Sequence, residues 1–519
     1  MSSPTVSIPP VRSLTIFALL AMFMVIVSYA VILLLAVASV YLPFLAFTRI
    51  TNFQTLALLA GGLLVAGSML WALVPRRDEF VAPGLPLDRS AHPRLFAELD
   101  RIAIALGEPM PREVYLIPQT NAWVADRGGL MGFGSRRVMG LGLPLLALLS
   151  ISQFRAILAH EFAHYYGGDT KLGPWLHRTQ VAMIRTFQNM GSVGSAMRVA
   201  AMALLYTIVF GLLKWYWLLF LRAINFVSRR QEFRADELAC IVAGSHSLSS
   251  GLRIVHEASL GWPAYWNSEL APMLDSGFLP PVGEGFSRFM TADTIASQVR
   301  QGVEREIFEG KSDPYDSHPP LRDRIAAAQA LPQTPQQEEQ KSAWTLLDDA
   351  IATEHAWLRA IHPQAQKDTL KPVSWDEEGN IVVIPMWTKA VAEYSALLEK
   401  MTIGTLFESL GRIPEIAPNV RDPEGMLLTP EQRIERARSL VGSAVGLAMV
   451  HNGWKLHAGP AVFYLEKEGE QVDPFQVVRQ LSEGTLSSTD WKTRCQTLGI
   501  SDIPVASTKT EAGAASQQA

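Results

Sequence analysis

Residues 150–168 read SISQFRAILAHEFAHYYGG. Ser150 with Gln153 three residues on makes a capping-box pattern, and Gly167–Gly168 makes a stop signal. The stretch therefore predicts a helix over Ile151–Tyr166. Inside it, His160 and His164 stand four apart, so both rings leave one face a turn apart, which suits two ligands of a tetrahedral zinc ion. Glu161 is turned about 100° from His160. From there it faces a water on the metal and takes its proton as that water attacks a peptide carbonyl.

A catalytic zinc takes a third protein ligand. The extended spacing H-E-x-x-H-x-x-G-x-x-H is met at Gly167, but its ligand position falls on Thr170, which cannot serve. Asp169 lies one residue early. Between Asp169 and Glu232 the chain has no Asp or Glu, and its one histidine there is His177. Glu232 is thus the first carboxylate beyond the gap, within Arg229-Arg230-Gln231-Glu232-Phe233-Arg234-Ala235-Asp236. Asp236, four residues on, shares its helical face and is placed to hold a ligating histidine through the other ring nitrogen. Judged by spacing alone, a solvated charged helix face competes with this reading.

Working outward, the 519 residues are only 18 % charged, against about 25 % in an average soluble domain. The deficit sits in three apolar blocks. Leu14–Phe47 and Thr55–Val74 carry no charge and exceed or match the roughly 20 residues of a spanning helix. The first is too long for the apolar part of a cleavable signal peptide. Arg12, Arg76 and Arg77 on one side against Arg49 on the other put the chain after Arg77 in the cytoplasm by the positive-inside rule. The third block, Val199–Val227, is broken by Lys214 and Arg222. It cannot be a lone span, because the histidines before it and Glu232 after it must meet at one ion. The stretch before it holds Arg178, Gln180, Arg185, Gln188 and Asn189, too polar for a standard partner span. A helical hairpin at about 178–228, dipping into or lying along the membrane, is expected. A formal net charge of −4 gives no basic excess for nucleic acid, and two cysteines make no disulfide framework.

Elsewhere the pattern predicts a helix over His92–Leu106 and strands at Glu113–Ile117 and Arg136–Leu141 around a Gly-rich turn. Further helices are expected at Gln231–Ala243, Ala292–Phe308 and Pro320–Ala330. Residues 332–342 read as a Pro/Gln-rich linker. Beyond it come helices at Trp344–Ile361, Thr388–Met401 and Pro430–Val450, a strand at Asn380–Pro385, and a small, polar, disordered tail over 506–519.

His160–His164 with Asp169, the Glu232-x-x-x-Asp236 helix, and His318-Pro319-Pro320 with Arg324 together resemble the HtpX-like and CAAX prenyl endopeptidase family of membrane zinc metallopeptidases. The resemblance spans about Arg77–Ala330, and the two N-terminal spans fit its HtpX branch. It implies that Glu232 is the third zinc ligand and that Asp169 and Asp236 support the ligands. It further implies that His318 and Arg324 stabilise the tetrahedral oxyanion beside catalytic Glu161. It makes Asn121-Ala122-Trp123 an edge segment along which substrate lies, receiving peptide backbone by strand addition.

The expected fold is mainly α: two transmembrane helices over 1–80, and an α+β zincin domain with a small edge sheet over 81–331. A mostly helical domain of unknown role follows over 343–505. The leading functional reading is a membrane-anchored endopeptidase with one Zn²⁺ per chain, acting on membrane or misfolded polypeptides. Its expected seat is a bacterial inner membrane, with the catalytic domain cytoplasmic. The second is a catalytically silent scaffold whose C-terminal domain recruits a partner protein. The third, a narrow CAAX-type processing enzyme, is disfavoured because the short membrane part lacks helices for a large intramembrane chamber.

Overall fold

The computed structural model describes residues 15–74, 80–129, 134–165, 173–196, 200–310, 313, 315–331, 338–362, 370–420 and 428–506. The protein is mainly α-helical. Its chain forms two compact units, one of residues 1–262 with 297–361, the other of 263–296 with 362–519.

The first unit begins with α1 (Thr15–Arg49) and α2 (Phe53–Leu73). At 1.5 Å per residue the 35 residues of α1 reach about 52 Å, well beyond a hydrocarbon layer of about 30 Å. Asn52 starts α2 through a capping box with Thr55. The two helices touch closely at Gly62, where an added Cβ would fall 1.9 Å from the Ser39 carbonyl oxygen. Their outer faces expose Leu33, Leu34, Phe44, Leu63 and Leu64, a surface suited to lipid.

A small sheet follows, of β1 (Leu85–Leu87), β2 (Glu113–Ile117), β3 (Ala122–Arg127) and β4 (Arg136–Gly142), with α3 (Pro93–Leu106) between its first two strands. The spatial order is β1-β2-β4-β3. β2 and β4 run parallel, while β1 and β3 pair antiparallel, which leaves β3 as an edge strand. Alternation along the strands buries Val114, Leu116, Met139 and Leu141 on one face. On the other, Tyr115, Ile117 and Val138 cluster with Phe80 and Trp123. Trp123 lies over Gly140, where a Cβ would be 2.5 Å from its ring. Part of the Gly-rich turn, 130–133, falls outside the described residues.

After α4 (Leu143–Leu148) comes α5 (Ile151–Ala163), then α6 (Gly173–Ala196) and α7 (Ala200–Ala243). α6 and α7 occupy the stretch where a membrane-associated helical hairpin is expected, at about 178–228, and they pack against α1 and α2. Met183 and Met190 of α6, and Val209, Leu213, Tyr216, Phe220 and Ile224 of α7, share one apolar core with α1 and α2. Two polar side chains of α6 find carbonyl partners, one within the helix and one on α2. Thr186 donates to the Ala182 carbonyl, and Asn189 donates to the Ser68 carbonyl at 3.2 Å. α7 is also one uninterrupted 44-residue helix, not an apolar block followed by a separate Gln231–Ala243 helix. Among the described residues, three helices are long and apolar enough to cross a membrane: α1, α2 and α7.

α8 (Ser245–Tyr265) leads into α9 (Ala271–Asp275), β5 (Phe278–Leu279) and α10 (Val282–Thr291) of the second unit. α11 (Asp293–Glu309), α12 (Leu321–Ala330) and α13 (Ala350–Ile361) return to the first. The stretch read as a linker is only partly described, and its described end is no free tether. Lys341 and Glu339 carbonyls accept from the Ile151 and Ser152 amides, and Ala343 donates to Leu149 O. Residues 339–343 therefore brace the start of α5. The domain division accordingly differs from the linear one expected, since 343–361 pack with the first unit and 263–296 with the second.

In the second unit, β6 (Lys371–Pro372) pairs with β5. The strand expected at Asn380–Pro385 is instead a π-helical turn, Gly379–Val383, opening α14 (Ile384–Glu393). Val382 and Trp387 bury their side chains there, so packing overrides the β-branched run. Short α15 (Ser395–Leu398), α16 (Leu406–Leu410) and α17 (Ile413–Ile416) precede α18 (Pro430–His451). An antiparallel meander of β7 (Lys455–Gly459), β8 (Val462–Lys467) and β9 (Glu470–Val472) follows, then α19 (Pro474–Glu483) and α20 (Ser488–Thr497). Trp387, Val441, Val445, Leu465 and Trp491 belong to its core. The tail over 507–519 lies outside the described residues.

Two predictions test this packing. Gly62→Ala should lower the thermal midpoint in detergent, because the new methyl meets backbone, whereas Gly67→Ala, with nothing within 4 Å, should not. In the second unit, burial first and Glu269 second raise the Glu378 carboxyl from 4.5 to about 7. A raised carboxyl binds its proton more tightly folded than unfolded, so stability falls as pH rises from about 4.5 to 7. Glu378→Gln should therefore gain midpoint over wild type at pH 8 but not at pH 5.

Candidate metal centre and active site

The site is built on the C-terminal end of α5. The four amides that open this helix are all engaged: Ile151 and Ser152 by the 339–341 brace, Gln153 by Ser150 Oγ, and Phe154 by Ser150 O. α5 is also pinned laterally, because buried Arg155 pairs with buried Glu98 of α3. The helix ends at Ala163 with His164 as its cap, slightly short of the expected Tyr166, which falls outside the described residues.

His160, His164 and Glu232 come together as the spacing and the resemblance implied. Their Nε2 and carboxylate oxygens are 3.2 Å apart between the two rings, 3.4 Å from His164 to Glu232 Oε1, and 3.5 Å from His160 to Glu232 Oε2. A tetrahedral ion with ligand bonds of about 2.0–2.1 Å has ligands separated by about 3.3–3.4 Å. The donor set thus fits a tetrahedral metal. It is the one such group of three among the described residues. Glu232 is buried, with Oε1 facing His164 and Oε2 facing His160.

Behind the ligands stands a fixed charge relay. Asp236 Oδ1 lies 2.9 Å from His160 Nδ1, which sets the tautomer that leaves Nε2 free for metal. Arg324 grips the same carboxylate with two bonds, Nε to Oδ2 at 2.9 Å and Nη2 to Oδ1 at 2.7 Å. Its remaining Nη1 lies 3.5 Å from Glu232 Oε2. The guanidinium is buried, so in this arrangement its fork is spent on Asp236, and an oxyanion donor's part is narrowed to Nη1.

His318 sits on the turn before α12, with Nδ1 3.2 Å from Glu232 Oε2. The Glu232 carboxylate raises its pKa above the usual 6.5. The imidazole is 62 % exposed, which leaves its other nitrogen available to a ligand. Burial of His164 lowers it to about 4, keeping that ring neutral as a ligand requires. Burial pushes Glu161 up to about 7, against the pull of His160; a bound cation lowers such a carboxyl again. Asn121 lines the same cleft, of about 410 Å³, as His318 and Arg324. Ala122 and Trp123 begin edge strand β3. Asp169 lies outside the described residues.

Tyr165 was missed in the sequence. Its hydroxyl donates to the Val124 carbonyl at 3.0 Å, tying the metal-bearing helix to the edge strand, and Arg137 covers its ring at 4.0 Å. Only its position directly after His164 signalled it. The brace at 339–341 was masked by a linker-like composition.

A buried His-His-Glu set with a glutamate beside it, carried on a helix bundle with apolar outer faces, defines a membrane metallopeptidase. The comparisons say which. Residues 89–331 match Peptidase family M48, and the chain is similar to HtpX-like members of that family. It is 25 % identical over 265 residues to a "Protease HtpX homolog" from Acidiphilium cryptum (strain JF-5), covering 48 % of this chain and 77 % of the relative. It is 28 % identical over 244 residues to a "Protease HtpX" from Xylella fastidiosa (strain M12), covering 44 % and 69 %. No solved structure matches.

Asp236→Asn removes the negative charge behind His160 while keeping its size. Metal affinity should fall roughly 10–100-fold in a chelator competition, with the helical circular dichroism signal unchanged.

Proposed function

We propose that this protein is a zinc-dependent endopeptidase that hydrolyses peptide bonds of membrane or misfolded polypeptides at a bacterial inner membrane, from its cytoplasmic face. The observation that carries the reading is the tetrahedral spacing of His160, His164 and Glu232, at 3.2–3.5 Å. Zinc held by these three would supply an acidified water and a polarised substrate carbonyl.

The chain's own groups do the rest. Glu161, one residue after His160 and held in a partly dry site, accepts the water's proton at its carboxylate and delivers it to the leaving amine. His318, raised in pKa by Glu232, donates to the oxygen that gathers charge. Arg324 and Asp236 hold His160 and keep Glu232 company in a buried volume where unpaired charge is costly. Substrate lies along β3, where an edge strand offers backbone partners at Asn121, Ala122 and Trp123 with little demand on side chains. Loose sequence preference suits a chain that clears misfolded proteins.

The test is casein cleavage by detergent-purified protein, with bound zinc quantified. Glu161→Gln should keep zinc and lose at least about 10²-fold in rate. Glu232→Ala should lose the metal. A chelator should abolish wild-type cleavage and zinc should restore it. Zinc without cleavage in wild type would instead favour a silent scaffold, and equal cleavage by wild type and Glu161→Gln would sink the mechanism.

A further inference from the structure

We infer that Arg229 is a positioning residue that fixes His318 relative to the metal ligand Glu232; the inference rests on the peptidase reading above. Along α7, Arg229, Glu232 and Asp236 stand at i, i+3 and i+7, within about 60° of one stripe. Each holds a different part of the site. Glu232 offers its carboxylate to the metal position, and Asp236 grips His160 and Arg324. Arg229 reaches the turn that carries His318: one nitrogen, Nη1, donates to the Asp316 carbonyl at 2.9 Å and to the Asp313 carbonyl at 3.1 Å.

Asp316 passes the constraint on. Its carboxylate accepts the His318 backbone amide at 2.9 Å. Pro319 and Pro320, each with a fixed φ, then lead into α12. At the far end of this short path Arg324 returns to α7 through Asp236. The turn bearing His318 is therefore clamped to one helix at both ends, by Arg229 before it and by Arg324 after it. An exposed imidazole on a surface turn would otherwise sample many positions, and a displacement of about 1 Å from a productive geometry costs on the order of 10²-fold in rate. The guanidinium is suited to this task. It stays charged, and its Nη1 carries two N–H donors in one plane, one for each carbonyl, acceptors that a side-chain substitution cannot remove.

The experiment is a double-mutant cycle on the full chain with Arg229→Gln, His318→Ala and the pair, read by casein cleavage and zinc content. It is joined by amide hydrogen exchange of residues 315–321 in metal-free protein. Arg229→Gln should retain zinc, lose roughly tenfold or more in rate, and add no further loss to His318→Ala. Exchange at 315–321 should quicken while α5 is unchanged. If Arg229→Gln does not accumulate folded, Arg229→Lys, whose ammonium lacks the planar fork, carries the same comparison with a smaller loss. Multiplying losses in the double variant, or unaltered exchange at 315–321, would overturn the inference. Inactive wild type would sink the peptidase reading instead, and the exchange measurement would still decide for or against Arg229.

Discussion

Two carboxylates, two imidazoles and a guanidinium share one buried volume, and their charges have to balance there. Glu232 and Asp236 bring two negative charges, and Arg324 returns one positive. The Glu232 carboxylate faces the two Nε2 atoms, a donor set that would fit a divalent ion. Removing Arg324 or Asp236 would leave its partner's charge unpaired in a buried position. The rest of the catalytic unit can be understood as what holds these groups in register: α3 through Glu98 to α5, the brace at 339–343 on the start of α5, and Tyr165 between the end of that helix and the edge strand.

α7 is the element through which these constraints meet. Its first half packs among α1, α2 and α6, with Tyr216 hydrogen-bonded to Ser28 at 2.9 Å inside that core. Its second half supplies Arg229, Glu232 and Asp236. Because no break separates the halves, one continuous helix rather than a loop joins the apolar bundle to the candidate site.

The site was largely legible in the sequence, and the reason is periodicity. Histidines four apart on a capped helix declare a shared face, and Glu232 with Asp236 repeats that spacing. What stayed hidden was whatever depends on contacts between distant segments. Gln188 and Asn189 made α6 look unfit for the bundle, yet Asn189 finds the Ser68 carbonyl on α2. A Pro/Gln-rich composition hid backbone groups of 339–343 that pair with α5, since hydrogen bonding of the main chain leaves no trace in side-chain identity. Ile381-Val382-Val383 carries β-branched side chains that favour a strand, and burial against the second unit's core turned it helical instead. Nothing in the sequence singled out Arg229, because its partners are carbonyls, which every residue has.

The unbroken α7 also acts as a ruler. Arg222 lies near the end of its apolar stretch, and Glu232 follows ten residues later, about 15 Å along the axis. A polypeptide emerging from a bilayer beside this helix covers that distance in about five extended residues.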